Sequence, residues 1–318
     1  MTARIAAISD CDHIAMNEEN QVFSNANVKM VLHQCKTEDD LISTLQEYEV
    51  IGNQYAPLTD RVFSQLKNLR LVVRYGVGVN NIDVKAATKY GIRVCNVPDY
   101  GIQEVSAHAL ALMMALTRKL ITVERSIRRG EWNYETSIPI TRYSEQTIGI
   151  VGLGRIGKNF AKLVRPFDGQ VIATDPLYPD IPPEGFSFVR MVELDELLRI
   201  SDIVSIHCPL ETSFHMISKP QLKIMKKSAF LINVSRGGIV DETALEEALR
   251  ENWIAGAACD VLEQESPQGM LPLIRCENFI CTPHMAWYSV QASEDLKRKL
   301  AEEIVRYIDG QPLRYQLN

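Results

Sequence analysis

The sequence has little of what metal-bound, disulfide-bonded and membrane-spanning proteins require. Its seven cysteines are odd in number, and no two have the C-x-x-C spacing typical of zinc sites. We therefore expect no disulfide framework, no bound metal and a reducing, cytoplasmic location. The longest apolar stretch, residues 107–116, contains a histidine and is far shorter than the ~20 residues that span a bilayer. The N-terminal residues do not contain a charged segment followed by an apolar one, so they do not indicate a signal peptide.

An excess of positive charge is also absent. The chain has 34 lysines and arginines against 40 aspartates and glutamates, a net charge of −6. Nucleic-acid-binding proteins usually present a basic face, so we expect no nucleic-acid partner and, without an apolar span, no membrane partner. What remains is the composition of a globular protein, 46% apolar and 23% charged, and 318 residues suffice for about two domains.

Strand-like and helical segments alternate along the chain. Five short apolar runs in the first hundred residues are separated by helical patterns, and a second such series runs from 147 to 282. This alternation predicts an α/β protein with parallel sheets. Between the two series, residues 104–118 predict a long apolar helix and residues 120–130 a basic amphipathic one. We predict two doubly wound domains, with a last helix at 292–308 that returns to the first.

The most specific motif is the G-x-G-x-x-G sequence at residues 152–157. It follows an apolar strand and begins a helix, which is the context that a dinucleotide site requires. Gly152 allows a tight turn, Gly154 lets the backbone approach a pyrophosphate, and Gly157 lets helix and strand pack closely. Arg155 and Ile156 lie within the motif at the helix start, whose N–H groups favour phosphate.

A carboxylate follows this motif at the end of the next predicted strand. Asp175 lies about 20 residues beyond the glycines, where it can accept hydrogen bonds from ribose hydroxyls and would repel a 2′-phosphate. No lysine or arginine follows it directly. Asp168 is a rival for this role, but it precedes the strand and fits a turn better. We therefore predict NAD rather than NADP as the cofactor.

Three polar segments, 233–238, 260–265 and 282–284, follow further predicted strands, and ligands bind at the carboxyl ends of such strands. Arg236 can grip a carboxylate and polarise a neighbouring carbonyl. His284 can donate a proton to a developing alkoxide, and Glu265 can orient its ring and favour the protonated form. Alternatively, Glu263 or Glu265 is merely solvated, Arg236 forms a surface ion pair, or His284 is a packed core histidine.

These segments together resemble the D-isomer-specific 2-hydroxyacid dehydrogenase family. The resemblance covers nearly the whole chain and is strongest in RYGVGVNNID (74–83), the glycine motif, HCPL (207–210), and residues 233–241, 256–265 and 282–284. It implies a Rossmann NAD-binding domain, residues 105–284, inserted into a flavodoxin-like substrate domain. That substrate domain would consist of residues 1–104 and 285–318. The resemblance also implies hinge closure and a homodimer formed through the cofactor domains and the long helix after Gln103.

The resemblance assigns a role to each candidate residue. Arg236 would bind the substrate carboxylate and carbonyl, His284 would be the acid and base, and Glu265 would pair with it. Asp260 would bind the nicotinamide carboxamide, and the backbone N–H groups of Val77 and Gly78 would bind the substrate carboxylate. The cofactor cleft would be lined by Cys208, Pro209 and Val234.

We therefore expect an NAD-dependent oxidoreductase that moves a hydride between the cofactor and C2 of a small 2-oxo or D-2-hydroxy acid. Two alternatives remain. The MAWYS segment at 285–289 resembles the branch that contains the C-terminal-binding-protein corepressors, so an NAD(H)-sensing interaction protein is possible. In an enzyme of this type, Trp287 would border the substrate pocket. A D-3-phosphoglycerate dehydrogenase is the second alternative, whereas Glu265 disfavours a formate dehydrogenase, which typically has Gln there.

Overall fold

In the computed structural model, which describes residues 4–13, 15–265 and 271–318, the chain divides into two units. The first contains the chain up to residue 101 together with residues 289–318, and the second contains residues 102–288. The sequence predicts these boundaries at 104/105 and 284/285. In the structure each lies at the start of a helix, because the long helix begins at Ile102 and Ser289 caps the last helix by accepting a hydrogen bond from Ala292 N.

The first unit contains a sheet of five parallel strands in the order β2-β1-β3-β4-β5, which is the flavodoxin-like order. Strands β3 and β4 are almost wholly buried, as expected when helices cover both faces of a parallel sheet. The strands are β1 (Ile5–Ile8), β2 (Lys29–Leu32), β3 (Val50–Asn53), β4 (Leu71–Arg74) and β5 (Arg93–Cys95), and the helices among them are α1 (Asn17–Asn25), α2 (Glu38–Thr44), α3 (Asp60–Gln65) and α4 (Val84–Lys89).

Side-chain caps set the start of two of these helices. Thr37 and Asp40 form a reciprocal capping box at α2, and Asp83 accepts a hydrogen bond from Ala86 N at α4. A helix at 59–66 with Thr59 as its cap also fits the sequence, and Thr59 does occupy the cap position of α3. Its hydroxyl instead donates to Glu38 Oε1 at 2.7 Å and makes no capping bond, because α2 offers a carboxylate within reach.

The second unit contains a sheet of seven parallel strands in the order β12-β11-β10-β9-β6-β7-β8. Counted from β6, this is the 3-2-1-4-5-6 order of dinucleotide-binding domains with one further strand. The fold class predicted from the sequence is therefore confirmed. The strands are β6 (Thr147–Val151), β7 (Gln170–Thr174), β8 (Val189–Met191), β9 (Ile203–Ile206), β10 (Phe230–Asn233), β11 (Gly256–Cys259) and β12 (Phe279–Cys281), and the helices are α5 (Ile102–Thr117), α6 (Leu120–Arg128), α7 (Arg155–Val164), α8 (Leu194–Ile200), α9 (Lys219–Ile224) and α10 (Glu242–Arg250).

Two apolar clusters form the core of this unit. One joins α5 and α7 to the sheet through residues such as Met113 and Phe160, and the other joins α8, α9 and α10 to it through Leu197, Leu222 and Leu245. All five of these side chains are fully buried. Because both faces of the sheet are covered, the loops at the strand ends provide its accessible polar groups.

The last helix, α11 (Val290–Ile308), belongs to the first unit. Leu296, Leu300 and Ile304 repeat every four residues and are buried along one face of it. The tail beyond it runs along β5, where Leu317 N donates to the carbonyl of Val94 at 2.9 Å. The tail thereby covers an edge strand that would otherwise expose unpaired backbone groups.

Candidate active site

Three loops that follow neighbouring strands of the second sheet are linked by backbone hydrogen bonds. Asp260 N, just after β11, donates to Asn233 O at the end of β10, at 2.9 Å. His284 N, beyond β12, donates to Asp260 O at 2.7 Å. Residues 234–238, 260–265 and 282–286 therefore lie side by side at the carboxyl ends of adjacent strands, the edge at which open α/β sheets bind ligands.

Glu265 and His284 are paired at this edge. Glu265 Oε1 lies 2.5 Å from His284 Nδ1, and the side chains are 50% and 38% exposed. His284 has a φ of +51°, an uncommon conformation for a residue with a side chain, and such residues cluster at functional sites. A carboxylate on Nδ1 favours the tautomer that carries its proton there. In that tautomer Nε2 is the ring nitrogen that can accept a proton, and the Glu265 carboxylate lies where it would balance the charge of a protonated ring.

Arg236 lies on the neighbouring loop, whose shape is set by its own polar side chains. Asn233 Nδ2 donates to Arg236 O at 2.8 Å, and Ser235 Oγ donates to Ile206 O at 2.9 Å. One guanidinium nitrogen of Arg236 donates to Ser235 O at 2.7 Å. These bonds hold the backbone that carries Arg236, whose planar guanidinium has the fork geometry that suits a carboxylate.

Asp260 anchors the loop that carries His284. Its carboxylate is buried, and Oδ1 accepts hydrogen bonds from Thr282 Oγ1 at 2.6 Å and from Met285 N at 3.0 Å. Oδ2 accepts one from Ala286 N at 2.9 Å. Three of the roughly four acceptor positions of a carboxylate are thus engaged within the loop. The fourth is what this residue can offer to the nicotinamide carboxamide, the role that the resemblance implies.

A residue that the sequence does not single out joins this anchor. His108 on α5 has its Nε2 3.0 Å from Thr282 Oγ1 and 3.7 Å from Asp260 Oδ1. Because the Thr282 hydroxyl donates its hydrogen to Asp260, His108 Nε2 must carry a proton and donate to Thr282. No local pattern could have indicated this contact, since the two residues are 174 positions apart in the chain.

The glycine motif forms a cradle at the N-terminus of α7. Gly152 has a φ of +93°, and a Cβ there would lie 2.8 Å from the backbone of His207 and Cys208. At Gly157 a Cβ would lie 2.0 Å from Gly152 O, whereas at Gly154 it would meet nothing within 4 Å. The first and last glycines therefore allow close packing, and the middle one leaves the helix N-terminus open. This cradle fits the pyrophosphate of NAD.

Asp175 lies beside this cradle at the end of β7. Its Oδ2 accepts a hydrogen bond from Leu153 N at 2.6 Å, and its Oδ1 accepts one from Leu177 N at 2.8 Å. Asp168, the rival for the ribose role, has a φ of +57° in the turn before β7. The carboxylate of Asp175 is thus held next to the glycine turn, where it fits the ribose hydroxyls of NAD.

The remaining cofactor candidates lie around the same strand ends. Arg155 is exposed at the first position of α7, with Ile156 partly buried behind it. Cys208 is partly buried and Pro209 exposed after β9, and Val234 is buried after β10. Burial raises the pKa of the Cys208 thiol, so this side chain stays uncharged and is not suited to act as a nucleophile.

The substrate candidates belong to both units. Val77 and Gly78 follow β4 in the first unit, where Val77 is exposed and its carbonyl accepts a hydrogen bond from Asn96 Nδ2 at 2.7 Å. Trp287 lies in the second unit, partly buried and packed edge-on against Tyr288 at 5.6 Å between ring centroids. Hydrogen bonds within the first unit thus hold the loop of Val77. The loops of Arg236 and His284 are held in the same way by hydrogen bonds within the second unit.

Two further features bear on function. Among the residues that the structure describes, no group of three or more His, Cys, Asp or Glu side chains could hold a metal ion. Across the same described ranges, every helix is too short or too polar to cross a membrane.

Comparison with known proteins relates this site to characterised enzymes. The glyoxylate reductase of Korarchaeum cryptofilum is 37% identical over 290 residues, which cover 89% of this chain and 83% of that protein. The D-3-phosphoglycerate dehydrogenase of Archaeoglobus fulgidus is 36% identical over 282 residues, which cover 88% of this chain and 53% of that protein. The chain thus spans about half the length of the phosphoglycerate dehydrogenases that it matches.

Solved structures and a family model agree with these relatives. An acyclic imino acid reductase in complex with NADPH and D-Arg has a TM-score of 0.88 and 26% identity, over 99% of this chain and all of that one. The D-lactate dehydrogenase of Aquifex aeolicus, in complex with NAD and lactic acid, has a TM-score of 0.85 and 25% identity, over 96% of both chains. The model described as D-isomer specific 2-hydroxyacid dehydrogenase, NAD binding domain, matches residues 110–286. This chain therefore belongs to the D-isomer-specific 2-hydroxyacid dehydrogenase family, and its second unit contains the NAD-binding domain of that family.

Proposed function

We propose that this protein is an NAD-dependent oxidoreductase that transfers a hydride between the nicotinamide and C2 of a small 2-oxo or D-2-hydroxy acid. The observation that carries this proposal is the Glu265–His284 pair, in which Oε1 and Nδ1 are 2.5 Å apart. Backbone hydrogen bonds hold the two loops of this pair beside each other and beside the loop of Arg236. An acid–base pair, a fixed cation and a dinucleotide cradle in one unit are what such a reaction requires.

Each residue has a defined part in the proposed reduction. NADH, when bound, supplies the hydride. Arg236 binds the substrate carboxylate and polarises the C2 carbonyl, so that negative charge develops next to a fixed cation. His284 donates a proton from Nε2 to the oxygen at C2, and Glu265 stabilises the charged ring and fixes its orientation. Oxidation uses the same groups in reverse, with His284 as the base.

Other residues bind the substrate or the cofactor in this proposal. The backbone N–H groups of Val77 and Gly78 bind the substrate carboxylate, and Trp287 borders the side chain carried on C2. Asp260 binds the nicotinamide carboxamide through its remaining acceptor position. Asp175 selects NAD over NADP, because its carboxylate would repel a 2′-phosphate.

The relatives narrow the substrate class without deciding it. They are named for glyoxylate and for 3-phosphoglycerate, and the two solved structures for acyclic imino acids and for lactate. We propose a small 2-oxo acid as the substrate. Phosphohydroxypyruvate tests the phosphoglycerate dehydrogenase alternative. NADH-dependent capture of a protein partner, without turnover of any 2-oxo acid, would favour the corepressor-like alternative instead.

An NADH-oxidation screen at 340 nm tests the proposal. We expect turnover of at least one of glyoxylate, hydroxypyruvate, pyruvate, phenylpyruvate, branched-chain 2-oxo acids and phosphohydroxypyruvate. Substituting His284→Ala or Arg236→Ala should lower kcat/KM at least about 1000-fold while NADH binding is retained, because each removes a group that acts in the transition state.

Two surface variants serve as controls for this screen. His33→Ala removes a histidine that contacts Tyr48, and Arg199→Ala removes an arginine that pairs with Asp195 on the surface of α8. Both should keep wild-type rates. Unchanged turnover in His284→Ala would exclude His284 as the acid.

We also propose that the protein is a homodimer that uses the surface of α6 and the segment after it. Several large apolar side chains are exposed there, and residues 134–137 pack against α6. An exposed apolar surface of this kind is typical of a protein interface. The side chains are Leu120, Ile127, Trp132, Tyr134 and Ile138, of which Trp132 is 91% exposed.

A further inference from the structure

The segment that carries Glu265 is held by the acidic residue two positions before it. Glu263 Oε1 lies 3.0 Å from His215 Nε2, in the loop before α9. Glu263 N donates to Glu242 Oε1 at 2.5 Å, and Glu263 Oε1 lies 3.4 Å from Glu242 N at the start of α10. A single residue therefore ties this segment to two other parts of the second unit.

The backbone at the same point is packed against the loop of Arg236. A Cβ at Gly237 would lie 2.0 Å from Leu262 O and 2.5 Å from Glu263 N, so the two loops are in direct backbone contact. His215 N also donates to Gly238 O at 2.7 Å. Leu262 is buried, whereas the chain from Glu263 to Glu265 is exposed. The contacts of Glu263 thus extend the anchored part of the loop toward Glu265.

The Glu265–His284 pair is too exposed to order this loop by itself. The two side chains are 50% and 38% exposed, and exposed ion pairs contribute little to stability. Ordering even one backbone residue costs more free energy than such a pair returns. A pair at 2.5 Å therefore requires that the loop be held by other contacts.

We propose that Glu263 is a positioning residue, whose contacts with His215 and Glu242 hold residues 262–265 so that Glu265 meets Nδ1 of His284. This inference rests on the proposed function, because it assigns Glu263 a purpose through the Glu265–His284 pair. Glu263 could instead act only through its negative charge. Glu263→Gln removes that charge and keeps an oxygen that can accept from His215, whereas Glu263→Ala removes both.

The tautomer of His284 is the readout, because it does not depend on turnover. In protein labelled with 15N-histidine, the ring nitrogen shifts at alkaline pH show which nitrogen of the neutral ring carries the proton, and His284→Ala assigns the signals. Glu265→Ala provides the reference for a lost pair. Glu247→Ala is the matched control, since it removes an exposed carboxylate that pairs with Lys219 from the same helix as Glu242.

We expect the Nδ1–H form of His284 in the wild type, in Glu263→Gln and in Glu247→Ala. In Glu263→Ala we expect the Nε2–H form seen in Glu265→Ala, with kcat lowered about 10-fold, as a misplaced catalytic group predicts, and NADH affinity unchanged. An unchanged tautomer in Glu263→Ala, or equal loss in Glu263→Gln, would overturn the inference. No effect of Glu265→Ala would instead refute the pair itself, and a wild type that reduces no 2-oxo acid would refute the proposed function alone.

Discussion

At the scale of single residues, His207 shows how the fold holds a titratable group next to the cofactor cradle. Its Nε2 lies 2.9 Å from Ser205 Oγ, its ring packs against Phe160, and its Nδ1 is buried without a hydrogen-bond partner among the described residues. Burial lowers the pKa of His207 to about 3. The ring is therefore neutral at pH 7.

This shift predicts a loss of stability in acid. The unfolded chain binds a proton at His207 below pH 6.5, whereas the folded chain does not until about pH 3, so the free energy of unfolding falls as pH drops through this window. Between pH 7 and 5 the loss from this residue should be about 1–2 kcal/mol, which allows for its partial exposure. Urea unfolding of the wild type and of His207→Gln measures it.

The glutamine variant should have lower stability at pH 7 but a flatter dependence on pH, because its amide does not titrate. Equal slopes in the two proteins would show that His207 takes up its proton as readily in the folded state as in the unfolded state.

Apart from the Glu265–His284 pair, which the resemblance implies, the side-chain contacts of the site could not be predicted from the sequence. Arg236, Glu265 and His284 stand out because each is a polar residue placed after an apolar strand. The contacts of His215 with Glu263 and of His108 with Thr282 join residues 48 and 174 positions apart, and only the tertiary packing brings them together. Residue types can therefore indicate the chemistry of a site, but not the contacts that hold its parts in place.

At the scale of secondary-structure elements, the strength of the apolar pattern decided what could be predicted. The strands Thr147–Val151 and Gln170–Thr174 are evident in the sequence, because each contains an apolar run that lies in the interior of the sheet. Strand β8 is not evident in the sequence. It has three residues, lies at the sheet edge, and includes an exposed arginine.

The contact between two strand-end loops gives a prediction at this scale. The backbone of Gly237 needs no left-handed conformation, but an alanine Cβ there would clash with the Leu262 carbonyl. Gly237→Ala should push the loop of Arg236 away from that of Glu265 and lower kcat/KM about 100-fold, since displacements near 1 Å have such effects.

Gly237 packs against Leu262 and Glu263, whereas the glycine cradle packs against His207 and Cys208, so NADH affinity measured by fluorescence titration should change little in this variant. Wild-type kcat/KM in Gly237→Ala would show that the spacing of the two loops is not critical.

At the scale of the whole molecule, the exposed apolar surface of α6 predicts the oligomeric state. Light scattering after size-exclusion chromatography should give twice the 35.9 kDa mass of the chain. The double variant Ile127→Glu, Trp132→Glu should be monomeric, because charge on an apolar interface is costly to bury. Ile181→Glu is the control, since Ile181 is 77% exposed elsewhere on the second unit. A monomeric wild type, or a double variant that remains dimeric, would contradict the proposed interface.

The architecture of the molecule could be predicted because each level of the sequence indicated the same answer. The strand–helix alternation predicts parallel sheets, the glycine motif locates the first strand of the dinucleotide-binding sheet, and the sheet orders agree with both. The substrate side chain could not be predicted, because it depends on pocket shape rather than on a motif.

The central claim is that a hydride moves between the nicotinamide and C2 of a 2-oxo acid. Reduction of the best substrate from the screen with NADH that carries deuterium at both C4 positions, followed by mass spectrometry and chiral chromatography of the product, tests it directly. We predict one deuterium at C2 of the D-2-hydroxy acid, and about 1000-fold slower formation of this product in His284→Ala. A product without deuterium at C2, or cofactor oxidation without a hydroxy acid product, would contradict it.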